Sequence, residues 1–206
     1  MKIKVCGTRD RENLQGIISL NPDFIGFIFY EKSPRFVEVM PDVQWPEGIK
    51  KVGVFVNAGI TEMEEKASQF NLDFIQLHGQ EDVETCRLIK EKGIGVIKAF
   101  NMVDNFDFQK LEPYKAYVDY FLFDAPAGTL PGGTGNTFNW DALRAYDQQI
   151  PYFLSGGISL MHSQAMKSDW MENFPPYALD INSKFEISPG VKNLEWVARF
   201  IEEIRN

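Results

Sequence analysis

Eight short apolar segments alternate with helix-length or loop segments at a spacing of about 25 residues, and no shift in composition marks a linker. Polar or glycine-rich residues follow nearly every one of them, as a functional rim built from many strand ends requires. The 206 residues, 17 of them Phe, supply enough apolar surface for one sizeable core and too little for two. These observations predict an α/β fold in which residues 1–206 form a single-domain (β/α)8 TIM barrel, with a doubly wound open sheet as the alternative.

The first strand is Ile3-Lys4-Val5-Cys6-Gly7, which brings a thiol and then a glycine to its carboxyl end. Asp10 can cap a helix over Arg11–Leu20 with Leu14, Ile17 and Ile18 on one face. Phe24–Phe29 is almost wholly apolar, the pattern of a strand covered on both faces. A polar loop with Lys32 and Arg35 follows, and residues 37–50, with two prolines, support at most a short helix. Val52–Val56 is the third strand. Thr61 and Glu64 are spaced as a capping box for a helix ending near Phe70.

Phe74–Leu77 is the fourth strand and ends at His78-Gly79. Glu81–Lys92 reads as a helix with Cys86 and Ile89 inward and Gly93 as its stop, and Gly95–Ala99 is the fifth strand. A helix near Phe106–Leu111 should be cut short by Pro113. Tyr120–Phe123 is the sixth strand, ending at Asp124, and a loop with four glycines follows to Phe138. Asn139 can cap a helix over Trp140–Tyr146, and Tyr152–Leu154 is the seventh strand, meeting Ser155-Gly156-Gly157. Leu160–Lys167 looks helical, Tyr177–Asp180 is the eighth strand, and Ile181–Lys192 reads as a loop. Val197, Phe200, Ile201 and Ile204 give the last helix an apolar stripe.

A formal charge of −8 argues against a nucleic-acid partner, which needs clustered Lys and Arg. No apolar run approaches the roughly 18 residues of a membrane span, and the chain opens on a strand pattern in place of a signal peptide. Two cysteines without metal-ligand spacing fit a reducing compartment, so a cytoplasmic protein without metal or other cofactor is expected.

The candidate chemistry lies at strand ends. Cys6 reads either as a packed core thiol or as a reactive one, with Lys4 and Arg9 near in sequence to favour a thiolate. Asp124 is its proposed acid partner; burial there would raise its pKa and keep a proton available, although a carboxylate capping the next loop fits the position equally. Gly156-Gly157 and the loop after the eighth strand lie where many barrels hold phosphate with backbone N–H groups. Arg35 is the candidate for gripping a substrate carboxylate, against a plain surface arginine. His78 reads as a polarising group or a structural histidine, while Cys86 and His162 are assigned no role. Gly132-Gly133-Thr134-Gly135 fails the phosphate-loop pattern and reads as a lid or a connector.

Lys4-Val5-Cys6-Gly7, Lys32-Ser33-Pro34-Arg35, Gln76-Leu77-His78-Gly79, Leu122-Phe123-Asp124, Gly132–Gly135 and Ser155-Gly156-Gly157, with Asp180, Ser183 and Glu186, stand in one order along the chain. As a set they resemble the phosphoribosylanthranilate isomerase family, a tryptophan-pathway barrel. The resemblance implies an Amadori rearrangement of a small phosphosugar, with Asp124 as general acid and Cys6 as general base. It places Arg35 near the substrate carboxylate, and Gly156, Gly157 and the loop of Asp180, Asn182 and Ser183 near its phosphate, with His78 also in the site. A monomer or homodimer without membrane or nucleic-acid partners follows. The histidine-pathway isomerase would pair two aspartates, a silent phosphate-binding barrel would not need Cys6 with Asp124, and a redox role lacks a resolving cysteine. The sequence departs from the commoner family pattern at Thr8-Arg9, Lys184-Phe185 and Asn193, which raises the question of a non-glycine conformation or a side-chain ammonium at Lys184.

Overall fold

A computed structural model describes residues 1–103, 105–124, 140–164, 166 and 173–206. Eight parallel strands close into a barrel in chain order: β1 (Lys2–Cys6), β2 (Phe24–Ile28), β3 (Lys50–Phe55), β4 (Phe74–Leu77), β5 (Gly95–Asn101), β6 (Tyr120–Asp124), β7 (Tyr152–Ser155) and β8 (Ala178–Ile181). Closure is made by β8 pairing with β1, where Lys4 stands opposite Asp180. Helices α1 (Arg11–Ser19), α2 (Ile60–Phe70), α3 (Val83–Glu91) and the C-terminal helix Leu194–Arg205 pack outside the barrel. The closed ring rules out the open sheet.

Two apolar layers result from the period of two along each strand. Outward residues such as Ile3, Val5, Ile25, Phe27 and Leu179 join the helix faces, Leu14, Ile17, Val197 and Phe200 among them, in the larger cluster. Inward residues of β2 to β8, Phe24, Val52, Ile97, Leu122, Phe153 and Ala178 with Phe74 and Tyr120, fill the amino-terminal half of the barrel. Phe24 meets Phe153 edge-on with ring centroids 5.0 Å apart. That plug leaves the inward residues nearer the carboxyl ends to shape a cavity.

Local differences from the sequence reading have local causes. Helix α2 starts after an extended Gly59 with no side-chain cap, so Thr61 falls inside the first turn and the Thr61/Glu64 capping box does not form. The expected helix near Phe106–Leu111 is a 3₁₀ segment over Phe108–Tyr114 that passes through Pro113, whose fixed φ suits this tighter winding. Trp140–Ala145 and Leu160–His162 are also 3₁₀. The expected loop Ile181–Lys192 holds a 3₁₀ turn, Ser183–Phe185, and a hairpin of β9 (Glu186–Ser188) and β10 (Val191–Lys192), turned at Gly190 with φ +86°. Gly132–Gly135, the Asn139 cap, and Ala165 and Lys167 of the expected helix Leu160–Lys167 lie outside the described residues.

Candidate active site

A cavity of about 630 Å³ opens at the carboxyl ends of the strands. Cys6 from β1, His78 after β4, Asp124 from β6, Ser155 from β7 and Asp180 from β8 line it, with Gly156, Gly157, Asn182, Ser183 and Lys184 at the β7–β8 side. Ile28, Tyr30, Val54, Val56 and Met102 make its other wall largely apolar. The period of two explains the convergence: Lys4 and Cys6, Gln76 and His78, and Leu122 and Asp124 share the inward face of their strands.

Asp124 is tied on both oxygens. Ser155 Oγ donates to Oδ1 at 2.8 Å, and His78 Nε2 stands 3.3 Å from Oδ2. On the far side of the imidazole, Gln76 Nε2 lies 2.8 Å from Nδ1; with the amide donating there, Nε2 carries the proton that points at Asp124. Burial pushes the Asp124 carboxyl up, but His78, Ser155 and the charge of Lys4 together hold it below the usual carboxylate range. The expectation that burial would raise it is therefore corrected: donors to the charged form outweigh desolvation.

Cys6 is only 4% exposed yet lines the cavity. Burial pushes its thiol up, against a downward pull from Lys4. Lys4 Nζ is 2.7 Å from Asp180 Oδ2, both side chains being buried. Burial is the largest influence on Lys4 and disfavours its ammonium, but Asp180 and Cys6, by charge and hydrogen bonding together, more than offset it and hold the lysine above its usual range. Asp180 Oδ1 is buried with no hydrogen-bond partner among the described residues. Arg9 lies away from the thiol, its side chain against Gly190 of the hairpin.

Arg35 is not among the residues lining the cavity. Its Nε and Nη2 form a fork onto the Glu186 carboxylate at 2.6–3.0 Å. Glu186 Oε1 also accepts from Lys192 Nζ at 2.7 Å and from the Gly190 N–H at 3.0 Å. Lys192 in turn donates to Asn182 Oδ1 at 2.7 Å, so this network links the loop after β2 to the cavity wall. Glu186, although its side chain is buried, is held below the usual carboxylate range because Arg35 and Lys192 outweigh desolvation.

A second bracket holds the strand end that carries His78. Lys98 Nζ donates to Glu81 Oε2 at 3.0 Å and to the Gly79 carbonyl at 2.8 Å, while Glu81 accepts from the Asn57 and Gly79 N–H groups at 2.7 and 2.9 Å. Sequence reasoning missed Gln76, Ser155, Glu81 and Lys98 as supports. Gln76 and Ser155 carried a signal, since Gln76 shares an inward strand face with His78 and Ser155 directly precedes Gly156; nothing local joined Lys98 to Glu81. The departures from the family pattern find places here. Lys184 sits in a 3₁₀ turn and is absent from the positive-φ residues, so no glycine conformation is demanded; Asn193 caps the last helix, accepting from Trp196 N–H at 3.1 Å.

A closed parallel barrel whose carboxyl rim gathers a thiol, an imidazole and a carboxylate around one cavity defines a barrel enzyme. Residues 3–203 match the family described as N-(5'-phosphoribosyl)anthranilate (PRA) isomerase, and the chain belongs to that isomerase family of tryptophan biosynthesis. An N-(5'-phosphoribosyl)anthranilate isomerase from Parabacteroides distasonis is 43% identical over 209 residues, covering 99% of this chain and 93% of the relative. The phosphoribosyl anthranilate isomerase of Thermotoga maritima superposes with a TM-score of 0.85 at 30% identity, covering 100% and 98% of the two chains. A further solved isomerase, 28% identical with a TM-score of 0.83 over 100% and 98%, is in complex with reduced 1-(o-carboxyphenylamino)-1-deoxyribulose 5-phosphate. Among the described residues no helix is long and apolar enough to cross a membrane.

Proposed function

We propose that this chain converts N-(5'-phosphoribosyl)anthranilate to 1-(2-carboxyphenylamino)-1-deoxyribulose 5-phosphate, with Asp124 as general acid and Cys6 as general base. The observation that carries the reading is that both groups line a single cavity from different strands, one on β1 and one on β6. A cavity of about 630 Å³ falls in the range of small-molecule sites.

The resting Asp124 carboxylate must gain a proton before it can give one. Substrate brings a carboxylate and a phosphate, and like charges entering a partly closed cavity raise a neighbouring carboxyl. His78 Nε2, 3.3 Å away, lies on the path by which that proton reaches Oδ2. The acid then protonates the furanose ring oxygen, the C1–O bond breaks, and the nitrogen lone pair forms the iminium. Cys6 as thiolate takes the C2 proton, giving an enolamine that tautomerises to the ketone. No net electron leaves the substrate, so the chain of steps needs only proton transfers.

Binding follows the same logic. The N–H groups around Gly156 and Gly157, which have φ of +99° and +64°, suit a phosphate, and Asn182, Ser183 and the Lys184 ammonium flank that end of the cavity. Asp180 Oδ1 is a buried acceptor suited to a sugar hydroxyl. The apolar wall suits the aromatic ring, and Arg35, whose Nη1 stands outside its fork with Glu186, is the guanidinium for the carboxylate. The particular substrate, a cytoplasmic location and a monomeric or homodimeric state without nucleic acid belong to the same reading. A tryptophan auxotroph lacking this isomerase tests it: wild type should restore growth without tryptophan and Asp124→Asn should not, while failure of the wild type would refute it.

A further inference from the structure

Lys4 is 0% exposed inside the barrel, with Asp180 Oδ2 2.7 Å away, and no step above uses its charge. A buried ion pair is no better for stability than well-packed apolar side chains of the same size, so its retention asks for another account. Its position supplies one. Residues 4 and 6 share the inward face of β1, and Cys6 pairs in register with Gly26 of β2. A Cβ on Gly26 would stand 2.7 Å from Cys6 Sγ and 3.2 Å from Lys4 Cε. The thiol and the lysine chain therefore meet over one glycine, in space that any side chain there would take.

We propose that Lys4, held by Asp180, is a positioning residue for Cys6, its ammonium set near the sulfur so that it offsets part of the cost of forming the thiolate in the buried cavity. This rests on the reading of Cys6 as the base. The charged groups facing Cys6 are Lys4 on its own strand, Asp180 on β8, Lys192 on β10 and Arg35 beyond β2. Burial pushes the thiol up; Lys4 opposes burial most strongly, Asp180 adds to it, and Lys192 opposes it more weakly. When the thiolate takes a proton from carbon it becomes neutral, and the Lys4–Asp180 pair remains as the compensated charge beneath it.

The test is the pH dependence of Cys6 alkylation by iodoacetamide in the intact protein, followed at Cys6 by peptide mass spectrometry so that Cys86 does not contribute. Lys4→Gln should slow alkylation at neutral pH about tenfold and move its pH midpoint upward, since only the thiolate reacts. In the isomerase assay kcat should fall with little change in KM. A role in packing alone would change the rate at every pH and leave the midpoint in place, and that result would overturn the proposal. If Lys4→Gln does not fold, Lys4→Gln/Asp180→Asn leaves a neutral amide pair in the same space. Its midpoint should still lie above that of the wild type, because Lys4 acts on the thiol more strongly than Asp180 does; a midpoint at or below the wild-type value would refute the idea. The alkylation uses no substrate, so a wild-type protein without isomerase activity would sink the functional reading while the titration still decided the relation of Lys4 to Cys6.

Discussion

Ser155 Oγ and His78 Nε2 hold the two oxygens of Asp124 at 2.8 and 3.3 Å, so the candidate acid rests as a doubly tethered carboxylate. Its folded pKa lies below the ordinary value, which means the folded chain binds fewer protons than the unfolded one. The resulting stability is present above the unfolded pKa and is lost as pH falls through the folded one. Ser155→Ala should therefore move the Asp124 titration upward and cost about 1.5 kcal/mol at neutral pH, the worth of a hydrogen bond to a charged group. Carbon NMR of labelled aspartate reads the titration directly; an unmoved Asp124 would contradict the assignment.

Glu186 gathers Arg35, Lys192 and the Gly190 N–H on one carboxylate, and its side chain is 5% exposed. Glu186→Gln leaves two cations without their shared anion and should cost about 3 kcal/mol at pH 7 in urea melts. Because the folded pKa of Glu186 is lowered, the gap between wild type and variant should narrow as pH falls through it. Arg35→Ala should mainly raise KM for phosphoribosylanthranilate, with kcat little changed, if the guanidinium binds the substrate carboxylate.

Most of the barrel was legible because its evidence is local and repeated. Eight apolar segments with polar ends give eight strands, and the inward face of a strand follows from counting by two. Cys6 and Asp124 stood out for the same reason, as polar residues at the ends of apolar runs. What the sequence could not show was which charge meets which across strands. Nothing near residue 4 announces Asp180, and Arg35 gives no sign that Glu186 holds it. The direction of the Asp124 shift was misread because burial is visible in a hydrophobic pattern, whereas a hydroxyl from β7 and an imidazole from β4 are not. The hairpin after β8 was missed because strands of two and three residues are too short for any periodicity to register.

Gly26 makes a separate prediction. A methyl there would approach Cys6 Sγ to 2.7 Å and Cys6 Cα to 3.2 Å, so the sulfur must shift to make room. Gly26→Ala should lower kcat at least tenfold at a stability cost of about 1–3 kcal/mol, the usual range for overpacking. Thermal melts beside steady-state kinetics separate the two effects; a fully active Gly26→Ala would show that the thiol does not need its present place.

The central claim is that one thiol and one carboxyl divide the proton transfers between them, and steady-state fluorescence following the loss of phosphoribosylanthranilate tests it most directly. Cys6→Ser and Asp124→Asn should each lower kcat by about 10²–10⁴-fold while KM changes little, because each group acts on the transition state more than on the bound substrate. Near-normal kcat in a folded Cys6→Ser or Asp124→Asn protein would contradict the role given to that residue.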